Sequence, residues 1–272
     1  MKTYNIIYLG TEGNEKSFLG LKKILEHGYK VSLVITSKCV AIKQPHLHKA
    51  DQLIGGVLFI IRAFRFIFKK IFQAKFAVKN IEEYSLRNLC VEKGIPVITY
   101  ASSKIGDIEK IFYQFKPDVI IANGWCWYIP KNITRIAKII SLNCHSSYLP
   151  NYRGGNVTFA PLINEELYSG VTVHEITEKF DSGRILSQIS INISKDETPD
   201  SLNEKRAKVT GQALINALKV VDQPQKYKKN PPSPFYKRFS YESYLRLKIA
   251  NKIRSMLGLK KKRVKPIYSN DL

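Results

Sequence analysis

Cysteine is sparse: the four residues, at positions 39, 90, 126 and 144, include no Cys-x-x-Cys pair. Neither a zinc site nor a disulfide framework is expected from such spacing. A membrane span needs about twenty uninterrupted apolar residues, but the run Leu53 to Ile61 is cut short by Arg62 and Arg65. The first strand-to-helix turn, Gly10-Thr11-Glu12-Gly13-Asn14, lacks Gly-x-Gly-x-x-Gly, which argues against a dinucleotide site there. The N-terminus enters a strand-like run directly instead of a signal peptide, so a reducing cytoplasm is the expected compartment.

Acids are missing where cations concentrate. Of the net charge of +22, residues 53–79 carry +6 with no acid, and residues 236–265 carry +10 against the single acid Glu242. The body between is only mildly basic, so an anionic partner is expected to touch two local patches. From Arg62 to Phe76 cations alternate with Phe64, Phe66, Phe68, Phe72 and Phe76. Two readings stay open: a basic amphipathic helix on an anionic membrane surface, or a helix packed on the domain or at a dimer interface with its lysines in water.

Apolar runs alternate with helical spacing. Tyr4–Leu9, Val31–Ile35, Ile95–Ile98 and Asp118–Ala122 read as strands, with the helical pattern Phe18, Leu21, Ile24, Leu25 after the first and further helices at 81–94 and 105–116. The alternation predicts an α/β fold with a doubly wound, mainly parallel sheet, whose ligands bind beyond the carboxyl ends of the strands. A catalytic domain over 1–225 is expected, followed by a proline hinge at 231–234 and a basic C-terminal extension, 226–272, that is aromatic and then helical.

The stretch 141–183 carries the chemistry. A short apolar strand ends in Asn143 and His145, and a second, Val171 to Ile176, leads into Asp181-Ser182-Gly183, where Gly183 is expected to permit the tight turn. Converging on one cleft, an amide donates to a developing oxyanion, an imidazole shuttles a proton and a carboxylate orients the imidazole or takes a proton through water. That trio suits acyl transfer to an amine, which is its own nucleophile. His174 alternates with Val171, Val173 and Ile176 and is read as a hydrogen-bonded structural histidine. Both tryptophans fall in the loop Asn123–Pro130, where Trp125, Cys126, Trp127 and Tyr128 either wall an apolar slot for a flat ligand or cap the core. No histidine or acid spacing suggests a metal.

These residues resemble the formyltransferases that use N10-formyltetrahydrofolate. The resemblance lies in Asn143-Cys144-His145-Ser146-Ser147-Tyr148-Leu149-Pro150-Asn151-Tyr152-Arg153-Gly154, then Gly170-Val171-Thr172-Val173-His174, then Asp181-Ser182-Gly183. It implies a Rossmann-like fold over residues 1–225, catalytic roles for Asn143, His145 and Asp181, and a folate pocket built from the 125–128 loop with Glu178, Lys179 and Phe180. Thr11 and Glu12 at the cleft mouth, with Arg153 and Asn156, are the candidates for meeting substrate phosphate or sugar.

The family's transfer-RNA branch carries a β-barrel where this chain shows no clear run of strands. The resemblance therefore points to formylation of a nucleotide-linked amino sugar for surface polysaccharide, by a cytoplasmic homodimer held at the inner membrane through its basic segments. Methionyl-tRNA formylation, with residues 236–265 gripping phosphates, and a non-catalytic membrane- or nucleic-acid-binding protein on the same scaffold remain the alternatives.

Overall fold

The computed structural model describes residues 4–37, 83–100, 108–237 and 240–265. The basic stretch 53–79, and both readings of it, lie outside the described residues. Strand β1 (Asn5–Thr11) sends Ile6 and Tyr8 into one core and Ile7 and Leu9 into another, all fully buried. A strand apolar on both faces must be covered on both, which puts it in the middle of a parallel sheet. β2 (Lys30–Ser37) and β4 (Val119–Asn123) flank it, and β3 (Val97–Tyr100) and β5 (Ile140–His145) pair outside them, all parallel. The two-residue β6 (Arg153–Gly154) belongs to a separate ladder. β7 (Tyr168–Glu175) and β8 (Ile185–Asn192) then extend the main sheet antiparallel, giving the order β3-β2-β1-β4-β5-β7-β8.

Helices cover both faces. On one lie α1 (Glu15–Glu26), α2 (Leu86–Glu92) and α6 (Pro199–Leu218). Asn14 caps α1 by accepting from the Ser17 amide at 2.9 Å, and Thr198 with Ser201 forms a capping box at α6, each such cap contributing about 1 kcal/mol. On the other face α3 (Glu109–Phe115) and α4 (Lys131–Thr134) bury Phe112 and Ile133. The strand order turns back between β1 and β4, and ligand crevices of such sheets open there, beyond the strands' carboxyl ends.

Residues 231–234, expected as a hinge, are fastened. Ser233 Oγ donates to the Pro150 carbonyl at 2.5 Å, the Ser233 carbonyl accepts from Arg153 Nη1 at 3.0 Å, and β9 (Phe235–Tyr236) pairs parallel with β6. Proline removes a donor but leaves carbonyls free to accept, so a proline-rich run makes a strap as readily as a break. The strap lies against the loop after β5. Beyond it α7 (Tyr241–Met256) packs on the short α5 (Phe159–Ile163), with Tyr244 stacked on Phe159 at 5.1 Å.

Candidate active site

Asn143 and His145 stand two apart on β5 and so share one side of the strand. β7 pairs antiparallel, placing His174 opposite Asn143. The chain leaving β7 then returns Asp181 over both. Asp181 Oδ1 accepts from Asn143 Nδ2 at 3.3 Å and lies 3.4 Å from His145 Nδ1 and 3.5 Å from His174 Nε2. Its other oxygen accepts from the Gly154 amide at 2.8 Å.

Carbonyl partners fix the tautomers, because a carbonyl only accepts. His145 Nε2 donates to the Tyr152 carbonyl at 3.2 Å, and His174 Nδ1 donates to the Glu175 carbonyl at 2.8 Å. His174 Nε2 lies within hydrogen-bond distance of Asn143 Nδ2, at 3.2 Å. In neutral His145 the Nδ1 lone pair faces the carboxylate, and one proton placed between them relieves the repulsion. Burial pushes the His145 imidazole below its ordinary pKa, partly offset by the charge of Asp181. Burial works to raise the Asp181 carboxyl, yet His145, His174 and the Gly154 amide together hold it well below the usual carboxylate range. The pair is thus an ionised acid beside an imidazole able to take a proton.

The backbone conformation is set differently from the sequence expectation. Asp181 itself adopts the left-handed conformation (φ 49°), which aspartate tolerates. Gly183 is needed for close approach instead, since a Cβ there would sit 1.9 Å from the Glu175 carbonyl oxygen. Gly183→Ala is expected to cost about 1–3 kcal/mol of stability or more, and to lower activity by shifting Asp181. Urea unfolding and turnover of the variant measure both; two unchanged values would contradict this reading.

A cleft of about 460 Å³ opens over the cluster, lined by Asn143, His145, His174 and Asp181 with Trp125, Cys126, Trp127, Tyr128, Lys179 and Phe180. Trp125 and Trp127 pack edge to face at 5.4 Å, as do Tyr128 and Phe180 at 5.6 Å. A larger adjoining hollow of about 610 Å³ shares Tyr128 and Lys179 but holds none of the trio. Cys90 and Cys144 are free thiols.

Five candidates lie elsewhere. Glu178 pairs with Lys131 on the neighbouring hollow. Thr11 Oγ1 donates to the Gly124 carbonyl at 2.6 Å, and Glu12 accepts from Ser85 Oγ at 2.6 Å; both close the strand ends instead of lining the cleft. Arg153 spends its donors on the Phe180 carbonyl (3.1 and 2.6 Å) and on Ser233, fastening the Asp181 loop to the strap. Asn156 is buried and accepts from the Ala160 amide at 3.2 Å.

Two cleft residues escaped the sequence reading. Lys16, in the first turn of α1, donates to the Cys144 carbonyl and, at 2.9 Å, to Ser146 Oγ, and burial pushes its ammonium below the ordinary lysine range. Phe235 arrives from the strap. Lys16 follows the strand β1 that borders the crevice, a position that is the one signal for it.

A family model described as formyl transferase matches residues 69–218, more than half of the chain. The bifunctional polymyxin resistance protein ArnA of Wigglesworthia glossinidia brevipalpis is 37% identical over 194 residues, 71% of this chain and 24% of its own length. Methionyl-tRNA formyltransferase of Limosilactobacillus fermentum is 30% identical over 143 residues, 52% of this chain and 44% of its own. The chain thus spans less than half the length of either relative. The solved structure of WlaRD, described as a sugar 3N-formyl transferase in the presence of dTDP and 5-N-formyl-THF, has the same fold. It aligns with a TM-score of 0.55 at 20% identity, over 88% of this chain and 71% of that one.

Proposed function

Because the chain belongs to the formyl transferase family, we propose that it moves a formyl group from N10-formyltetrahydrofolate to the amino group of a nucleotide-linked amino-deoxy sugar. The observation that carries the reading is the single carboxylate oxygen of Asp181 standing within 3.3–3.5 Å of the Asn143 amide and two imidazoles. The cosubstrate supplies the reactive formyl carbon when bound. The cleft fits such a flat ligand: its walls are aromatic, and the buried Trp125 Nε1 has no partner among the described residues, leaving a donor for a heterocycle edge.

Asn143 Nδ2 makes only long bonds, at 3.2 and 3.3 Å, and turns at little cost towards the formyl oxygen as the attacking amine makes it negative. One such donor lowers the barrier by about 3 kcal/mol. The amine nitrogen bonds to the formyl carbon, and its proton passes into the space between His145 Nδ1 and Asp181 Oδ1. From there it reaches N10 as the carbon–N10 bond breaks. His145 has one nitrogen committed to the Tyr152 carbonyl and the other facing Asp181, and its part in this reading is the proton.

The likeness to WlaRD supports a sugar acceptor. Formylation of methionyl-tRNA is the second reading, favoured by relatives such as that of L. fermentum. Incubation with formyltetrahydrofolate, a panel of nucleotide-linked amino sugars and charged initiator transfer RNA separates them by mass. An amino sugar heavier by one CO unit is the expected product. Formylation of the transfer RNA alone would establish the second reading, and no formylated product would sink both.

A further inference from the structure

Helix α7 shows two unlike faces. Tyr244 and Asn251, 2% and 7% exposed, hold it to the body: Tyr244 stacks on Phe159, and Asn251 clamps the returning chain by donating to the Lys262 carbonyl at 2.8 Å and accepting from its amide at 2.7 Å. The opposite face is apolar yet open. Leu245, Ile249 and Ile253 follow one another every fourth residue, with Met256 between them in projection, and span about 80° of the helix; Glu242 projects between Ile249 and Ile253, and Tyr241 packs back on Phe159 at 6.1 Å. Ile249, Ile253 and Met256 are 60%, 53% and 80% exposed.

Charge identifies what such a face meets. Residues 241–265 hold nine lysines and arginines against Glu242, which is paired with Arg246 at 2.8 Å. Lys248 and Lys252 border the apolar row on one side and Arg246 on the other. Lys252, Lys260 and Lys262 have no ion pair among the described residues. Two copies of this helix meeting face to face would bring the cations of each together against a single acid apiece, Glu242, which is already paired with Arg246. An anionic lipid surface takes both components at once, the apolar row into the acyl boundary and the cations among the headgroups.

We propose that the exposed face of α7 is a docking surface for an anionic membrane. This holds whether or not the acceptor is a sugar, since it uses no residue of the cleft. Its consequence for the site comes through the strap: Phe235 lines the cleft and Tyr236 packs at a tilt against Tyr152 at 4.7 Å, four residues before the Ser240 cap of α7. A docked helix therefore holds the cleft close to the bilayer.

Co-sedimentation of the full chain with phosphatidylglycerol-containing vesicles, against pure phosphatidylcholine vesicles, tests the proposal. The full chain is expected to bind the anionic vesicles at least about tenfold more tightly. Ile249→Ser with Ile253→Ser, and separately Lys248→Gln with Lys252→Gln, are each expected to weaken that binding about tenfold without changing the melting temperature. The proposal is overturned if neither vesicle binds. It is equally overturned if the serine variant binds as the parent does, which would place the lipid contact elsewhere in the chain. Loss of a concentration-dependent dimer in that variant, with no vesicle binding by the parent, would assign the face to a second copy.

Discussion

Replacing His145 with asparagine is expected to lower kcat on the order of 10³-fold while leaving the fold in place. The asparagine amide occupies the place of Nδ1 and does not reach the Tyr152 carbonyl that Nε2 meets at 3.2 Å, so the loss of that one bond costs about 1–3 kcal/mol of stability. What it lacks is a basic lone pair facing Asp181. Single-turnover formyl transfer and a thermal melt separate the two quantities. A variant retaining a tenth or more of parental turnover would remove His145 from the proton path.

Asp181→Asn has an effect of the same size or larger, on the order of 10³–10⁴-fold in kcat, because it strips the charge that both orients the imidazole and shares its proton. Asparagine accepts the left-handed backbone of position 181 as readily as aspartate, and its amide oxygen can still accept from Gly154. The pH profile carries a second signature. Turnover needs neutral His145, whose burial sets its pKa below the ordinary value of about 6.5, so activity falls as pH drops through that lower value. Asp181 favours the imidazolium and holds the pKa up; without it the acid limb moves to still lower pH. A limb that stays put or rises would show that the two groups do not share a proton.

Much of this site was legible because strand chemistry is local. Asn143 and His145 sit at i and i+2 beside an apolar run, and the run from Val171 to Ile176 leads into Asp181, so a cleft holding all three follows once the strands pair. The alternation of apolar runs with helical spacing likewise announced a doubly wound, mainly parallel sheet. Lys16 was not legible, because one cation in a helix's first turn looks like any solvated lysine until β1, β4 and β5 lie side by side and bring the Cys144 carbonyl to it. Phe235 and the strap were hidden by the eighty-odd residues separating them from Arg153. Arg153 misled for the same reason: a guanidinium beside a glycine turn suits a phosphate, and only the fold shows its donors taken by Phe180 and Ser233. His174, read as structural, does bond a backbone carbonyl, but it also steers the Asn143 amide.

The most direct measurement is the single-turnover rate of the double variant His145→Asn, Asp181→Asn beside both single variants. Groups 3.4 Å apart that hold one proton between them fail as a unit, so the double variant is expected to be no slower than the worse single variant by more than a few-fold. Losses that multiply would mean that the imidazole and the carboxylate act on separate steps, and the shared-proton centre would not stand.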